Sequence, residues 1–491
     1  MNQSKIKIGD LIESAAVIIS GCIFVILAST WTSPVYKGAY GYDASWYSLM
    51  GRAIVEGKVP YKDYFDLKGP TLFFYEALGQ LFIKDRGGVV LIQCISAGAS
   101  AFLIYKLLRM YAGRVWSWIS LVIFFFLYTG LLWGGNTAEE LFLPLNMLCI
   151  LLGVNFLRSK KYDETEVPAF IFGICFAVIF WGKMTVAAPL IAAAFTVFVV
   201  LLREKLYREV GKCFLYFCGG FTALTIPVLA YFAMRGAVSD LFLCVFWLGF
   251  RRGTDYYEGF SLDWEMRLLI CIMVFVFGIA YATKKNAEFY KKCLLLSMAV
   301  ITYVLLHFGT PFDYYFITEL PLLVIFLCFV PETSTKMKKK ASYLIPGIIG
   351  ILALVTILAA YAPISIDKIN ENIWIATNNE SYVYIGHVHE IYEEVPENER
   401  DDIFNLESGM IFYEILGKLP LNKYAVNMPY FLHLYPPIKT ETLGILENKK
   451  PKWIISEDME SFDDDDIKDY VFRHYKLVKE NGAEELYWRV M

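Results

Sequence analysis

Charged residues capable of chemistry stand within or beside the apolar stretches of this sequence. A charge at the centre of a lipid bilayer costs at least about 2.5–3.5 kcal/mol, so such residues usually face water or a protein cavity. Carboxylates there could accept a proton or hold a cation, and basic side chains could neutralise an anion. The candidates are Asp43, Asp66, Lys68, Glu139, Glu140, Lys183, Arg251, Arg252, Asp255 and Asp313.

The composition indicates that these residues belong to a membrane protein. The chain is 57% hydrophobic and only 19% charged, whereas soluble domains carry roughly 25% charged residues. A net charge of -4 provides no basic surface, so we expect a lipid bilayer as partner and no nucleic acid. Phosphate-loop, nucleophile-elbow and HExxH motifs are missing, which disfavours an ATP-driven pump, a serine hydrolase and a zinc protease.

Eleven apolar runs are candidates for membrane spans, because about 20 apolar residues cross a bilayer. The first has no convincing cleavage site after it, so we expect a retained helix rather than a removed signal. The runs cover approximately 15–31, 88–108, 115–132, 139–157, 168–182, 184–202, 213–234, 266–283, 293–308, 314–330 and 342–361.

The connecting segments predict the orientation, because lysine and arginine accumulate on the cytoplasmic side. An odd number of spans places all the basic connections inside and the C-terminal region outside. We therefore expect a multi-pass protein of the cell membrane with a cytoplasmic N-terminus. The chemistry-bearing residues then fall on the outer side. The basic connections are 5–7, 106–114, 158–161, 203–212, 284–292 and 336–340.

The outer segments carry structure of their own. Apolar residues recur at helical spacing in 45–55 and again in 72–83, which predicts two interfacial helices in the first outer loop. The apolar segment 238–250 is short and reads as a re-entrant or interfacial element. The expected fold is thus a polytopic α-helical membrane domain, 1–361, followed by a small extracytoplasmic α/β soluble domain, 362–491.

Short apolar runs alternate with helical patterns in the C-terminal domain. The runs NIWIAT, KYAV and KWIIS have the length and composition of strands. YKLVKENGAEELYWRV predicts a hairpin that turns at Asn481 and Gly482.

The first outer loop resembles that of a known family. The segment GYDASWYSLMGRAIVEGKVPYKDYFDLKGPTLFFYEALGQLF has an acid after the first span, a Gly-x-x-Pro-Tyr turn and a Lys-Gly-Pro element before a second helix. This pattern is similar to that of the GT-C superfamily, in the branch of protein O-mannosyltransferases and lipid A aminoarabinose transferase. The many spans and the outer C-terminal domain extend the resemblance over the whole chain.

The resemblance implies an inverting hexosyl- or pentosyltransferase (EC 2.4) acting in cell-envelope glycosylation. Such enzymes move a sugar from a polyprenyl-phosphate donor to an acceptor on the outer face, here an unknown glycan, lipid or protein. Asp43 matches the family's general base, and Lys68 matches the lysine that stabilises the departing phosphate. The structural alternatives are a helix N-cap for Asp43 and a lysine at the membrane interface for Lys68.

Further residues are expected around the donor and acceptor. Arg251, or its neighbour Arg252, suits phosphate oxygens because the guanidinium is planar. Lys183, Tyr314 and Tyr315 are candidates for binding the lipid phosphate, with an interfacial aromatic belt as the alternative for the tyrosines.

An acidic pair could have a second role in the reaction. Glu139 is a second catalytic candidate, because relatives often carry an acid at the start of this span. Glu140 with Asp66 could hold a divalent cation, Mg²⁺, Mn²⁺ or Ca²⁺. Complementing the positive end of a helix is the alternative for both glutamates.

Two other functions are compatible with an apolar, multispan chain. A transporter or flippase of a lipid-linked glycan would show related halves and charges at membrane mid-depth. A polysaccharide polymerase or ligase would concentrate arginines in a large late outer loop. Neither pattern is visible in the sequence.

Overall fold

A computed structural model describes residues 8–37, 41–255, 262–284, 287–307, 312–337, 343–378, 381–407, 409–425, 428–482 and 484–490. Within them, nine helices are long and apolar enough to cross a membrane. These helices are Ile8–Ala28, Arg86–Arg109, Arg114–Leu131, Ala138–Ser159, Met184–Arg203, Tyr207–Met234, Phe289–Leu306, Asp313–Thr333 and Leu344–Thr377.

Two further apolar helices are shorter than a full span. Glu166–Phe180 has 15 residues and Leu269–Ala282 has 14. At 1.5 Å per residue, each falls short of the roughly 30 Å hydrocarbon layer. All eleven apolar runs of the sequence are therefore helical, nine of them at spanning length.

The first loop contains the two predicted helices, α2 (Tyr42–Val55) and α3 (Pro70–Phe82). Pro70 is the first residue of α3, a position where its missing N–H costs nothing. Between these helices, residues 56–69 form an irregular loop, here called the Lys68 loop. The segment after Met234 has the short helix Val238–Leu241, a π-helix Phe242–Leu248 and the helix Gly249–Asp255.

The C-terminal region combines short helices with one small sheet. Its strands are β1 (Ile403–Asn405), β2 (Trp453–Ser456), β3 (Tyr475–Glu480) and β4 (Glu485–Arg489), in the order β1-β2-β4-β3. β1 is parallel to β2, and the other pairs are antiparallel. The helices of this region are Ser381–Glu394, Gly409–Leu416, Met428–Leu434, Pro437–Gly444 and Asp465–His474. One further short helix, Leu262–Arg267, lies earlier in the chain.

The predicted hairpin is confirmed, since β3 and β4 pair up to Glu480 and Glu485, with Gly482 at φ 76° in the turn. KWIIS is also confirmed, because it contains β2. NIWIAT is not a strand. It continues the helix Leu344–Thr377, because a helix already under way needs no new nucleation. Of KYAV, Lys423 and Tyr424 lie in a turn, and its last residue is outside the described residues.

The chain divides into two compact units. Unit 1 contains Met1–Ser29, Ile92–Val228 and Tyr256–Asn372; unit 2 contains Thr30–Leu91, Leu229–Asp255 and Ile373–Met491. In unit 1, the side chains from Leu320 to Phe329 that the structure describes are all buried, so this helix forms a central part of its core. In unit 2, α2 and α3 pack along each other and carry the Lys68 loop between them.

Candidate functional site

Asp43 and Lys68 meet in unit 2. Lys68 Nζ lies 3.2 Å from Asp43 Oδ1, and the two side chains are 20% and 24% exposed. Tyr47, one helical turn after Asp43, donates its hydroxyl to Asp43 Oδ2 at 3.3 Å, and its ring centroid lies 5.0 Å from Lys68 Nζ. A carboxylate, an ammonium group and a phenol therefore form one cluster that is partly exposed to solvent.

The N-cap alternative for Asp43 is wrong. The cap of α2 is Gly41, whose backbone is extended, and no side chain accepts a capping hydrogen bond there. Asp43 is the second residue of the helix, so its charge still complements the positive helix terminus. Its two oxygens are directed toward Lys68, which is 25 residues away in the sequence, and Tyr47, which is four residues away.

The backbone at Lys68 is held from both sides. Asp66 Oδ1 accepts a hydrogen bond from the Lys68 backbone N–H at 2.6 Å, as in an Asx turn. Tyr61, which is fully buried, donates its hydroxyl to the Lys68 carbonyl at 2.6 Å. Tyr61 adopts φ 68°, an uncommon conformation for a residue with a side chain. The Lys68 side chain thus projects from a constrained backbone.

Asp66 is buried, with only 2% of its surface exposed. Burial raises the pKa of its carboxyl group, and the Asp43 carboxylate acts in the same direction, whereas Lys68 and Arg252 oppose the rise. Arg252 therefore lies within electrostatic range of this cluster. Arg251 has an exposed side chain, and the Asp255 side chain lies outside the described part.

The C-terminal part of unit 2 supports the Lys68 loop. The Phe65 N–H donates to the Lys423 carbonyl at 2.8 Å, and the Tyr64 hydroxyl donates to the Pro420 carbonyl at 2.8 Å. The Phe65 ring also packs at 5.2–6.3 Å against the rings of three aromatic residues of the same part, Tyr424, Phe431 and Tyr435. Residues more than 350 positions away in the sequence thus fix the loop.

A buried ion pair links α2 to the helix Gly409–Leu416. Arg52 donates to Glu414 at 3.1 Å and also pairs with the exposed Asp85 at 2.8 Å. Ser48 donates to Glu414 at 3.0 Å, so the buried carboxylate is well satisfied. This pair fixes the helix whose first turn carries Asp43.

A second group of predicted residues meets in unit 1. Lys183 Nζ lies 2.5 Å from Glu139 Oε1, and Glu139 is 2% exposed. The same ammonium lies 3.5 Å from the centroid of the Tyr315 ring and 5.1 Å from that of Tyr314. Such distances correspond to cation–π contacts, which strengthen where water is excluded. Glu139 and Lys183 therefore form a buried, charge-neutral pair beside two tyrosines.

Glu140 points to a different partner set. Its Oε2 accepts from the Asn136 N–H at 2.8 Å, and Gln93 donates to both carboxylate oxygens at 3.1–3.2 Å. Gly134, Gly135 and Asn136 all have positive φ, which makes a tight turn before this helix. Glu140 thus closes the turn, while Glu139 reaches Lys183.

Tyr314 belongs to a set of near-parallel rings. Trp133 lies 5.4 Å from Tyr314 at an interplanar angle of 5°, and Phe312 lies 5.7 Å from it at 16°. Asp313, a weaker candidate, forms a largely exposed ion pair with Arg267 at 2.6 Å. It lies outside the Glu139–Lys183 pair.

The comparisons with known proteins identify the architecture. No protein-family model matches the chain, and no curated protein matches its sequence. The solved structures that match include two that cover 98% of both chains. They are ArnT from Cupriavidus metallidurans bound to undecaprenyl phosphate, with TM-score 0.60 and 9% identity, and the same protein in the apo state, with TM-score 0.61 and 10% identity.

This chain has a GT-C fold. The coverage includes the membrane helices, the first-loop helices and the C-terminal sheet, so the architecture expected from the first-loop motif is confirmed. With nine helices of spanning length among its described residues, the chain is a multi-pass membrane protein.

Within this GT-C fold, the expected divalent-cation site stays a prediction. Glu140 uses both oxygens on protein donors, and Asp66 uses one on the Lys68 backbone. Among the residues that the structure describes, no group of three or more His, Cys, Asp or Glu side chains is arranged to hold a metal ion.

The residues that support the Asp43–Lys68 cluster were not predicted from the sequence. Tyr47 could have been predicted, because it lies four residues after Asp43 and residues four apart share a helix face. Tyr61 lies in the quoted first-loop motif but carries no signal for its buried hydroxyl. Glu414 carries no signal either, because its partners are more than 350 residues away.

Proposed function

We propose that this chain is a glycosyltransferase that moves a sugar from a polyprenyl-phosphate donor to an acceptor hydroxyl on the outer face of the membrane, with inversion. The pairing of Asp43 with Lys68 at 3.2 Å carries the proposal. It supplies a base and a cation in one partly exposed cluster of a GT-C fold. The neighbour bound to undecaprenyl phosphate supports this class of lipid carrier.

Asp43 acts as the general base. The acceptor oxygen attacks the anomeric carbon as its proton passes to the Asp43 carboxylate, and the bond from that carbon to the phosphate oxygen breaks. The electron pair leaves with the polyprenyl phosphate, which needs no added proton because phosphate is already a good leaving group. Attack from the face opposite the phosphate inverts the anomeric centre.

Lys68 stabilises the phosphate as negative charge builds on it. Its constrained backbone aims the ammonium group in advance, which is the arrangement that makes electrostatic catalysis effective. In this structure the ammonium is paired with Asp43. Phosphate binding competes for Lys68 and so frees the carboxylate to take a proton. Arg252, rather than the exposed Arg251, is the second cation of this cluster.

We further propose that the Glu139–Lys183 pair of unit 1 binds hydroxyl-bearing groups. Its charges cancel each other, and Tyr314 and Tyr315 cover the ammonium. The Glu139 carboxylate accepts hydrogen bonds from such hydroxyl groups in this proposal.

A transfer assay with purified protein in detergent separates this function from transport. A panel of radiolabelled undecaprenyl-phosphate hexoses and pentoses is offered with a membrane-derived acceptor fraction. Transfer of label from the donor without any membrane compartment supports an enzyme. If every donor stays intact while the protein moves lipid-linked sugar across vesicle membranes, the flippase alternative holds. Lengthening of a lipid-linked glycan chain would instead indicate a polymerase.

Binding of undecaprenyl phosphate tests the role of Lys68 separately from chemistry. Lys68→Met should weaken this binding by roughly tenfold to a hundredfold, because it removes a charged hydrogen-bond donor. Lys62→Met is the matched control: Lys62 lies in the same loop, but its ammonium donates to the exposed Arg235 carbonyl at 2.8 Å. Equal losses in the two variants would contradict a specific phosphate contact at Lys68.

A further inference from the structure

Unit 1 contains an apolar cavity away from the residues discussed so far. Its volume is about 520 Å³, and four helices line it: Ala138–Ser159, Glu166–Phe180, Ala188–Arg203 and Tyr207–Met234. Phe198 and Phe214 at its edge are exposed, so it opens to the lipid-facing surface.

One polar group interrupts the apolar lining. Thr165 is 1% exposed and lines the cavity, and its hydroxyl has no hydrogen-bond partner among the described residues. Thr165 is the N-cap of the helix Glu166–Phe180, where threonine normally accepts a hydrogen bond from the first turn, but it makes no such bond. Thr137 does cap the next helix upstream in this way. The Thr165 hydroxyl is therefore available to a ligand in the cavity.

The mouth of the cavity carries positive charge. Lys212 stands between the lining residues Gly211 and Cys213, and its ammonium lies 3.1 Å from Glu166. Arg208, one turn earlier, is exposed. The connection 203–212 has four basic and two acidic residues, and Glu166 adds a third carboxylate, so one net positive charge remains. Basic residues between helices on one side of a membrane attract anionic lipid headgroups.

We propose that this cavity binds one chain of an anionic glycerophospholipid from the leaflet at the basic connections. The ester oxygen of the lipid accepts a hydrogen bond from Thr165, and its phosphate lies near Arg208 and Lys212. A polyprenyl phosphate fits less well, because it has no carboxylic ester between its phosphate and its hydrocarbon tail, so its phosphate would have to serve both Thr165 and the basic residues. The lysine and arginine distribution predicts that this leaflet is the cytoplasmic one.

The cavity is large enough for one lipid chain. A buried apolar cavity of about 150 Å³ holds one benzene molecule, which has six carbons. On that scale 520 Å³ accommodates on the order of twenty carbons, which matches a single acyl chain.

Native mass spectrometry of the full-length protein in detergent tests the site. Phosphatidylglycerol and phosphatidylcholine with identical acyl chains are added in equal amounts. The unmodified protein should retain one phosphatidylglycerol, with roughly five- to twenty-five-fold preference over phosphatidylcholine from the net positive charge at the mouth. Undecaprenyl phosphate at the same concentration should not displace it.

Two variants distinguish the contribution of the Thr165 hydroxyl to lipid binding from that of the cavity itself. Thr165→Val should weaken retention of both lipids by roughly two- to tenfold, since it removes one hydrogen bond and keeps the shape. The control is Thr302→Val, because Thr302 is also buried, its hydroxyl has no hydrogen-bond partner within the described part of the chain, and it does not line the cavity. Ala169→Phe should fill the cavity and abolish retention. If that variant fails to fold, Val197→Phe replaces it.

Several results would overturn the proposal. Equal retention of the two phospholipids would contradict the contact between the headgroup and the basic residues. Equal lipid retention by Thr165→Val and Thr302→Val would contradict the hydrogen bond from Thr165. Retention that survives a folded filling variant places the lipid elsewhere. Displacement by undecaprenyl phosphate assigns the cavity to the isoprenoid carrier instead.

Discussion

Asp66 shows how a single residue sets the geometry of the Lys68 loop. Its carboxyl group is buried although burial disfavours the charged form. One of its oxygens accepts the hydrogen bond from the Lys68 backbone N–H. Two cations, Lys68 and Arg252, offset part of that cost, while Asp43 adds to it. Burial of Asp66 therefore costs free energy, but its hydrogen bond fixes the position of the Lys68 backbone.

The raised pKa of Asp66 predicts a dependence of stability on pH. Its ordinary value is 3.8, and burial raises the pKa in the folded protein, so the folded state binds more protons between the two values. The free energy of unfolding therefore falls as pH rises above about 3.8 toward the raised pKa. Asp66→Asn keeps the acceptor oxygen and removes the charge, so its advantage in melting temperature should grow over this interval and then level off.

Melting temperatures from pH 4 to pH 8 in detergent check this prediction. Asp66→Ala is the control, because it loses the hydrogen bond to Lys68 and should be destabilised at every pH. A constant difference between Asp66→Asn and the unmodified protein would contradict a raised pKa at Asp66.

The contact between the Asp43 and Lys68 side chains could be expected from the sequence, because both residues belong to the first-loop motif. Their catalytic roles stay predictions. The choice between Arg251 and Arg252 could not be made, since neighbouring residues on a helix point about 100° apart and the sequence does not give the helix rotation. The same ambiguity applied to Glu139 and Glu140, which the structure directs to different partners.

Among the elements, α2 depends most on distant support. Arg52 and Glu414 form its buried link to the C-terminal part of unit 2, but Arg52 has a second partner, Asp85. Removing one member of a buried pair costs about 3–5 kcal/mol, because the other charge stays buried without compensation. The two members are therefore unequal: after loss of Glu414, Arg52 retains its ion pair with Asp85. After loss of Arg52, Glu414 retains its hydrogen bond from neutral Ser48 and the weaker electrostatic influence of Arg86.

A double-mutant cycle measures this asymmetry. Arg52→Met should lower the melting temperature more than Glu414→Leu does, and the double variant should be more stable than Arg52→Met, because an apolar pair leaves no buried charge. Thermal unfolding followed by tryptophan fluorescence provides the three values. Strictly additive losses would show that the two side chains do not act as a pair.

Helical elements were predictable to the extent that their periodicity is local. The helices at 42–55 and 70–82 and the hairpin at Asn481–Gly482 follow from spacing and turn residues. NIWIAT was misread, because its β-branched and aromatic residues have strand propensity while its conformation follows the helix before it. Strand β1 carried no pattern long enough to recognise, with only three residues.

For the whole molecule, hydropathy determined most of the architecture. Eleven apolar runs correspond to eleven helices, since the bilayer requires backbone groups to be satisfied within each segment. The first-loop motif added the GT-C fold, which the structural comparison confirms at only 9–10% identity. The donor sugar and the acceptor were not predictable, because their recognition depends on side chains assembled from many distant segments.

Single-turnover transfer by Asp43→Asn tests whether Asp43 is the general base. The donor is whichever undecaprenyl-phosphate sugar the unmodified protein accepts, and Asp313→Asn is the control, because Asp313 is also an ion-paired acid, at 2.6 Å from Arg267. Asp43→Asn should bind the donor but transfer its sugar roughly 10²- to 10⁴-fold more slowly, as expected for loss of a general base. Asp313→Asn should transfer at the normal rate. Transfer by folded Asp43→Asn at a rate close to that of Asp313→Asn would contradict a general-base role for Asp43.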